Sequence, residues 1–372
     1  MIPGPACLFL FLVSPVLSAD YFVSLDGEDD PSRPGNLTQP WRTLDFAVRR
    51  VRVKRTPWKT PPSPENSATI NLREGTYYLA KTVILKGSRD SFLTIKSYQE
   101  EEVTLSGGVP LDIPWEATGS VLEAEYPGKC GELYYGDFRM LKARSPNIGQ
   151  YGENSHYGAG PYHHVAGLLQ ETEDCRVDSK RFSQPNCPQE NRNGFYLTDE
   201  MSPDWADLNQ TQVLVFHSWI NEYARVGSLT SEGGRRKLLF QEPLGHAPLG
   251  EWISSGELRY ILLNNRALLD QPGEFVCTQH GPMARLAIIP PAGAQSGQVP
   301  VLASLETVLS IRFTTNVSIE GLRFQHSTYR GLDTSMNWIN AALVTRKASG
   351  QTDDHRRTFH ISTFARSEDQ RL

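Results

Sequence analysis

Short apolar runs that alternate with turn residues dominate the first third of the chain. The runs are Thr69–Leu72, Thr82–Leu85, Phe92–Ile95 and Val103–Leu105, with Gly75 and Gly87 between them. Runs of this length that are rich in β-branched residues predict strands. Strands at such close spacing, with no helix between them, are typical of a solenoid, a sandwich or a barrel.

One stretch has helical periodicity instead. Thr43 is a suitable N-cap, and Leu44, Ala47, Val48 and Val51 then recur at helical spacing. The pattern predicts a single amphipathic helix. In a repeat fold, such a helix covers terminal strand edges that would otherwise stay unpaired.

The strand pattern returns late in the chain. Val308–Phe313, Val317–Ile319 and Leu322–Phe324 are separated by corner residues, Asn316 and Gly321. A strand, an Asn or Gly corner and a second strand form the rung pattern of a parallel β-helix. Positions 111–305 are less regular and predict long inserted loops.

Several motifs resemble those of a known group. They are Val23-Ser24-Leu25-Asp26-Gly27, Pro40–Leu44, Asn71–Gly75, Arg144-Ser145-Pro146-Asn147 and Leu269–Phe275. Together they resemble secreted β-helical glycoside hydrolases of the pectate-lyase-like superfamily. The resemblance implies an all-β fold, a right-handed parallel β-helix with an N-terminal capping helix, over residues 20–344. The chain departs from the family pattern at Leu263, which replaces a glutamate, and at Phe275, which replaces a tryptophan.

The resemblance also bears on catalysis. In that family the cleaving acids project from rungs in the middle of the helix, and two carboxylates must face each other across the bond. We expect those rungs to lie beyond Val344, so the catalytic residues are unknown. Asp270 and Glu274 flank a Pro-Gly turn and are interpreted as turn ligands. Residues 345–372 are polar and predict a disordered tail, so the solenoid would be incomplete at its C-terminus.

Two functions are therefore predicted. The first is a secreted protein of the polysaccharide-acting, glycoside hydrolase-like group that lacks a complete active site. The second is a noncatalytic carbohydrate-binding or matrix-associated module. Aromatic residues near turns are the candidate sugar contacts: Tyr157 and Tyr162 in a Gly-rich loop, and Trp219 after the strand Thr211–His217.

No metal or cofactor is predicted. His163 and His164 would point to opposite faces of an extended segment, which argues against a shared ion. Phosphate-binding and serine or cysteine nucleophile motifs are absent from the sequence.

The N-terminus and the cysteines predict an extracellular protein. An apolar run at Leu8–Val13 precedes small residues, which indicates a signal peptide over residues 1–19. Four cysteines then remain: Cys130, Cys175, Cys187 and Cys277. Cys175 and Cys187 flank a short polar loop, so we favour that pair and Cys130–Cys277, although three connectivities are open. Sequons at Asn36, Asn209 and Asn316 predict glycosylation.

A basic run follows the apolar positions of the helix. It contains Arg49, Arg50, Arg52, Lys54 and Arg55. Three interpretations apply: a solvated helix face whose cations suit the C-terminal dipole, a patch for acidic glycans, or a processing site. The net charge of −5 implies no general affinity for polyanions, and nucleic acid is not a predicted partner. No apolar run reaches membrane-spanning length, so no membrane span is predicted.

Overall fold

The computed structural model describes residues 19–55, 62–147, 162–172, 175, 187–197, 207–217, 221–246, 258–295 and 297–333, and a strand at 357–361. The N-terminal half of this region contains helix α1 (Leu44–Lys54) and strands β1 (Ala19–Val23), β2 (Ala68–Leu72), β3 (Gly75–Tyr78), β4 (Val83–Lys86), β5 (Leu93–Ser97), β6 (Val103–Ser106), β7 (Gly108–Pro110), β8 (Glu116–Thr118), β9 (Val121–Pro127), β10 (Leu133–Tyr135), β11 (Phe138–Arg139), β12 (Leu141–Lys142) and β13 (Arg144–Ser145).

The remaining strands follow in chain order. They are β14 (His163–Leu168), β15 (Gly194–Leu197), β16 (Gln212–Phe216), β17 (Asn221–Glu232), β18 (Arg235–Phe240), β19 (Arg259–Leu263), β20 (Glu274–His280), β21 (Met283–Ile288), β22 (Pro300–Ala303), β23 (Leu305–Arg312), β24 (Val317–Gln325), β25 (Ser327–Asp333) and β26 (Arg357–Ile361). Short 3-10 helices lie at Pro64–Asn66, Ser88–Asp90, Tyr98–Glu100, Gln189–Asn193, Leu208–Gln210 and Arg266–Leu268.

The chain divides into two compact units. The first contains residues 1–109 and 303–372, and the second contains residues 110–302. The second unit is therefore an insertion between two sequence segments that fold together.

The first unit is built on parallel strand pairs. β1, β2 and β5 pair in register, β24 joins β5 and β6, and β6 also pairs with β3. A second sheet contains β25, β23 and β4, also in parallel. Asn316 (φ 52°) forms the predicted corner before β24. Gly321 (φ 65°) lies inside β24, so the predicted corner between two separate strands is wrong there. β26 pairs antiparallel with β24, so the sheet is not wholly parallel.

Helix α1 forms where the sequence predicted it. The Thr43 hydroxyl accepts a hydrogen bond from the Phe46 N–H, which satisfies one of the free donors of the first turn. The apolar side chains Leu44, Ala47, Val48 and Val51 are buried in the core of the first unit. This core also contains side chains from β2, β5, β6 and β24.

The basic run at the end of α1 is only partly solvated, since Arg49 and Lys54 are exposed and the other cations are partly buried. Its cations donate to backbone carbonyls: Arg50 to Pro31, Arg52 to Ile84, Lys54 to Pro34, and Arg55 to Asn66 and Phe92. Arg49 pairs with Asp45 one turn earlier, at 2.9 Å. The run therefore ties the helix to neighbouring loops and strand ends, which need hydrogen-bond partners.

The second unit is mostly antiparallel. Its larger sheet closes on itself in the order β19, β14, β15, β18, β17, β16 and back to β19. The long strand β17 belongs to both sides of this ring, because its first half pairs with β16 and its second half with β18. The interior is filled by apolar side chains, including Phe195, Val213, Val215, Leu238, Tyr260 and Leu262.

A second sheet of this unit has the order β12, β20, β21, β9, β8. Its pairs are antiparallel except for β12 with β20. Phe275, Leu286 and Ile288 form the centre of its core. The disulfide Cys130–Cys277 ties a loop to β20, and the disulfide Cys175–Cys187 closes a separate small cluster with Leu168.

The expectation of one right-handed parallel β-helix over residues 20–344 is wrong. The parallel pairs lie almost entirely in the first unit, whereas the region that the sequence presented as inserted loops forms separate antiparallel sheets with their own cores. A single solenoid needs each coil to stack on the last, and antiparallel hairpins such as β16–β17 and β20–β21 cannot do so. In the described part of the chain, no helix is long and apolar enough to cross a membrane.

Candidate functional site: an aromatic sheet face

The sheet formed by β13, β14, β19, β16 and β17 has two different faces. Side chains that pair across antiparallel strands share a face, and successive residues alternate. Inward-facing rows are Ser145–Leu262–Val213–Ala224 and His163–Tyr260–Val215–Glu222. Outward-facing rows are Arg144–Leu263–Gln212–Arg225, Ile261–Leu214–Tyr223 and His164–Arg259–Phe216–Asn221. The outward rows define the aromatic face.

Three side chains are stacked together on the aromatic face. The rings of Tyr162 and Phe216 meet edge to face, with centroids 5.0 Å apart. The Arg259 guanidinium carbon lies 4.6 Å from the Tyr162 centroid and 5.6 Å from that of Phe216. Both rings are half-buried against the apolar row of Leu214 and Ile261. Such packing holds aromatic rings in place while leaving part of each ring accessible.

Tyr223 extends this face toward solvent. It lies opposite Leu214 in the next strand and is 66% exposed. Phe216 lies opposite Asn221, so Tyr223 and Phe216 are diagonal neighbours. Diagonal neighbours in a sheet are about 7–8 Å apart, within reach of one small ligand.

The inward face has a polar pair that is structural. The Ser145 hydroxyl and His163 Nε2 are 2.9 Å apart, and the His163 ring packs against Tyr260 at 5.3 Å. Burial lowers the pKa of His163 to about 4, and the neighbouring His164 adds to this effect. His163 is therefore neutral at pH 7 and suits an interior hydrogen bond.

A His–Glu–His cluster closes one end of the strand ring. Glu222 Oε1 lies 2.8 Å from His246 Nδ1 and 3.3 Å from His217 Nε2, and the Glu222 carboxylate also accepts the backbone N–H groups of Gly245 and His246. Burial lowers the pKa of His217, although Glu222 opposes the effect. Burial would raise the pKa of Glu222, but these hydrogen bonds and charges outweigh it and lower the pKa. Within the described residues, no group of three or more His, Cys, Asp or Glu is arranged to hold a metal.

Asp270 and Glu274 belong to a turn, as the sequence analysis proposed. The Glu274 carboxylate accepts the N–H groups of Asp270 and Gln271, at 3.3 and 3.2 Å, and Glu274 is only 3% exposed. Burial raises its pKa. The Asn147 amide donates to the Asp270 carboxylate at 2.9 Å. The two motifs around Asn147 and Glu274 therefore meet in space and fasten the turn between β19 and β20.

A second serine–histidine pair lies in the first unit. The Ser106 hydroxyl is 2.8 Å from His326 Nδ1 and accepts the Gly108 N–H. Ser106 is fully buried and His326 is 5% exposed. A substrate would not reach this hydroxyl, so the pair is a buried packing contact.

Of the predicted sugar contacts, the structure places Tyr162 on the aromatic face. Tyr157 and Trp219 lie outside the described residues. The sequence analysis missed Phe216, Tyr223 and Arg259. Alternation along Gln212–Phe216 and Asn221–Val226 could have indicated two of them. Phe216 and Tyr223 fall on the face of the sheet that does not contain the buried valines Val213, Val215 and Val226.

The predicted glycosylation sites are accessible. Asn36, Asn209 and Asn316 are all exposed. The Asn36 side chain accepts from the Thr38 hydroxyl and the Gln39 N–H, which forms a compact turn. The disulfides pair Cys130 with Cys277 and Cys175 with Cys187, which is the connectivity that the sequence analysis favoured. Two disulfides are compatible with an extracellular protein.

Comparisons with known proteins are consistent with this fold. No family model and no curated protein match the chain. A solved structure described as a glycoside hydrolase is similar, with a TM-score of 0.63 and 18% identity, over 84% of this chain and 51% of that one. The chain thus shares the fold of part of that neighbour and spans about half of its length. A solved structure of XylC in complex with xylose matches with a TM-score of 0.32 and 12% identity, over 84% of this chain and 36% of that one. A TM-score this low does not establish a shared fold.

Proposed function

We propose that this chain is an extracellular carbohydrate-binding protein, and that the aromatic face of the second unit is its sugar contact. The observation that carries the proposal is the stack of Tyr162, Phe216 and Arg259 beside the exposed Tyr223. A sheet face with aromatic rings on neighbouring rows suits a ligand that is itself a chain of rings.

The chemistry of sugars supports this assignment. Each sugar ring has an apolar face of C–H groups and a rim of hydroxyls. Aromatic rings pack against the former, and nearby polar side chains bind the latter. On the aromatic face, Gln212 and Asn221 supply polar groups beside the rings. In the free protein, the apolar ring of Tyr223 is exposed to water, which is unfavourable. A bound sugar would cover this ring.

Binding is favoured over cleavage at this face. Glycoside hydrolysis needs two carboxyl groups on either side of the scissile bond. None of the outward-row residues is acidic, Glu222 faces inward among its hydrogen-bond partners, and Glu274 is a turn ligand. The aromatic face alone therefore holds sugar without the groups that cleave it.

Glycoside hydrolase activity is the second candidate, and the likeness to a glycoside hydrolase favours it. The activity would require acids elsewhere in the protein. Release of reducing sugars from xylan, pectin or fucosylated glycans by the purified protein would support it. A lack of sugar release together with retained binding would leave the noncatalytic proposal as it stands.

The test of binding uses calorimetry with panels of neutral and acidic oligosaccharides. Tyr223→Ala should weaken binding about fivefold or more, because stacking of a nucleic-acid base on an aromatic ring is worth about 1–3 kcal/mol and a sugar ring makes a similar contact. Tyr78→Ala is the matched control, since Tyr78 is also a well-exposed tyrosine (46%) but lies in the first unit. Equal binding by both variants would reject the aromatic face as the sugar contact.

A further inference from the structure

The aromatic face is basic in a protein that is acidic overall. Its outward rows contain Arg144, Arg225 and Arg259 and no aspartate or glutamate. Lys142 adds a fourth cation, because its ammonium group donates to the Gln212 side chain at 3.2 Å. The whole chain has a net charge of −5, so this local excess of positive charge is not a general property of the surface.

We infer that the aromatic face binds an acidic saccharide, one that contains uronic acid or sulfated sugars. This inference rests on the proposed function and specifies its ligand class. Aromatic rings accept the apolar face of the sugar, while guanidinium groups bind carboxylate or sulfate through paired hydrogen bonds. A neutral saccharide would use the rings but leave the cations without a new partner.

Arg225 is the cation nearest to solvent, and a ligand can take the place of its present ion-pair partner. Arg225 pairs with Glu242 at 2.9 Å, and the two side chains are 55% and 77% exposed. Exposed ion pairs of this kind contribute little to stability, so a ligand carboxylate can replace Glu242 at small cost. Arg225 shares a face with Tyr223 two positions earlier in β17, so stacking and charge recognition can act on the same ligand.

The basic run of α1 is a weaker site for the same ligands. Its cations already donate to carbonyls and carboxylates of the first unit. An acidic glycan would have to break those contacts. The positive charge that favours acidic sugars therefore lies on the aromatic face of the second unit. It does not lie on the basic run of α1, although the sequence concentrates positive charge there.

The experiment measures binding of the intact protein to three probes of matched length: an oligogalacturonide, a neutral xylo-oligosaccharide and a poly-glutamate peptide. We expect the oligogalacturonide to bind most tightly, and its affinity to fall with added salt. Arg225→Gln should weaken oligogalacturonide binding about tenfold, as the loss of a hydrogen bond to a charged group implies, and leave neutral sugar binding unchanged.

Arg139→Gln is the matched control. Arg139 is also an exposed arginine of the second unit, in an ion pair with Glu132 at 3.2 Å, but it lies on β11, which belongs to a different sheet from the aromatic face. Lys142→Gln is a second test variant, and thermal unfolding verifies that each variant folds.

The outcomes separate the two proposals. Equal affinity for neutral and acidic sugars, or equal loss in Arg225→Gln and Arg139→Gln, overturns the acidic preference but leaves carbohydrate binding in place. Binding of poly-glutamate as tight as that of the oligogalacturonide also overturns it, because charge alone would then account for recognition. If no saccharide binds, both the inference and the proposed function fail.

Discussion

Arg52 holds Asp90 through two hydrogen bonds of 2.7 Å, and Asp90 is 1% exposed. The same carboxylate accepts the Lys86 N–H, so one buried acid joins helix α1 to the end of β4. The bond to Asp90 raises the pKa of Arg52. A residue that the sequence placed in a charge run is therefore an anchor of the first unit.

Arg52→Gln should lower the free energy of unfolding by about 2–3 kcal/mol, because it leaves the buried Asp90 charge without its hydrogen-bonded cation. The loss is smaller than that expected for a fully buried ion pair, because Arg52 is partly exposed. Arg49→Gln is the control, since its exposed pair with Asp45 is worth about 0.5 kcal/mol or less. Urea unfolding of both variants measures the difference. Equal losses would contradict the anchoring role.

Stability should fall as the pH drops from 7 toward 4, in part through His163. Its folded pKa of about 4 lies below the unfolded value of 6.5, so the unfolded state takes up the proton first. The contribution of His163 to the free energy of unfolding is fully present above pH 6.5. It decreases as the pH falls from 6.5 toward 4. After a discount for the part of the ring that solvent screens, a shift of this size corresponds to about 1–2 kcal/mol.

The measurement is urea unfolding at pH 7, 5.5 and 4 for the protein and for His163→Phe, which cannot titrate. The variant should show a shallower pH dependence. His280→Gln, a change at an exposed histidine at the end of β20, serves as the control and should follow the unmodified protein. An unchanged slope in His163→Phe would exclude His163 as the titrating group.

The two disulfides should differ in their contribution to stability. Cys130–Cys277 closes a loop of 147 residues and Cys175–Cys187 one of 12. Chain entropy predicts about 5 kcal/mol for the long loop and about 3 kcal/mol for the short one. Removing each pair by double alanine substitution and comparing chemical unfolding tests this order. A larger loss from the short loop would show that local packing around Asn191, whose amide faces both sulfurs, outweighs loop length.

The mature protein from a secretory expression host should begin at Ala19 or Asp20 and carry N-linked glycans at Asn36, Asn209 and Asn316. All three residues are exposed. Cleavage before Ala19 leaves the β1–β2 pairing intact, and cleavage before Asp20 removes only the Ala19–Ala68 pair. N-terminal sequencing and mass spectrometry before and after enzymatic deglycosylation measure both. Each Asn→Gln substitution should remove one glycan. An unmodified mass with an intact N-terminus would refute the secretory assignment.

The sequence by itself determined those features that depend on neighbouring residues. Helix α1 and its Thr43 cap, the short strands β2, β4, β5 and β6, and the corner at Asn316 follow from local spacing and from a residue that tolerates positive φ. The interpretation of Glu274 as a turn ligand also held, because its partners are three and four positions away.

Only the tertiary structure decided the architecture and the site. Strand pairing between distant segments, such as β16 with β19, has no local signature. The sequence therefore predicts the strand Thr211–His217 but not the antiparallel sheets between residues 110 and 302. The cations of α1 gained their partners from residues up to 38 positions away in sequence. Tyr162, Phe216, Tyr223 and Arg259 become one face only when the four strands β14, β19, β16 and β17 align side by side. Alternation along each strand says which side a residue is on but not which strand lies next to it.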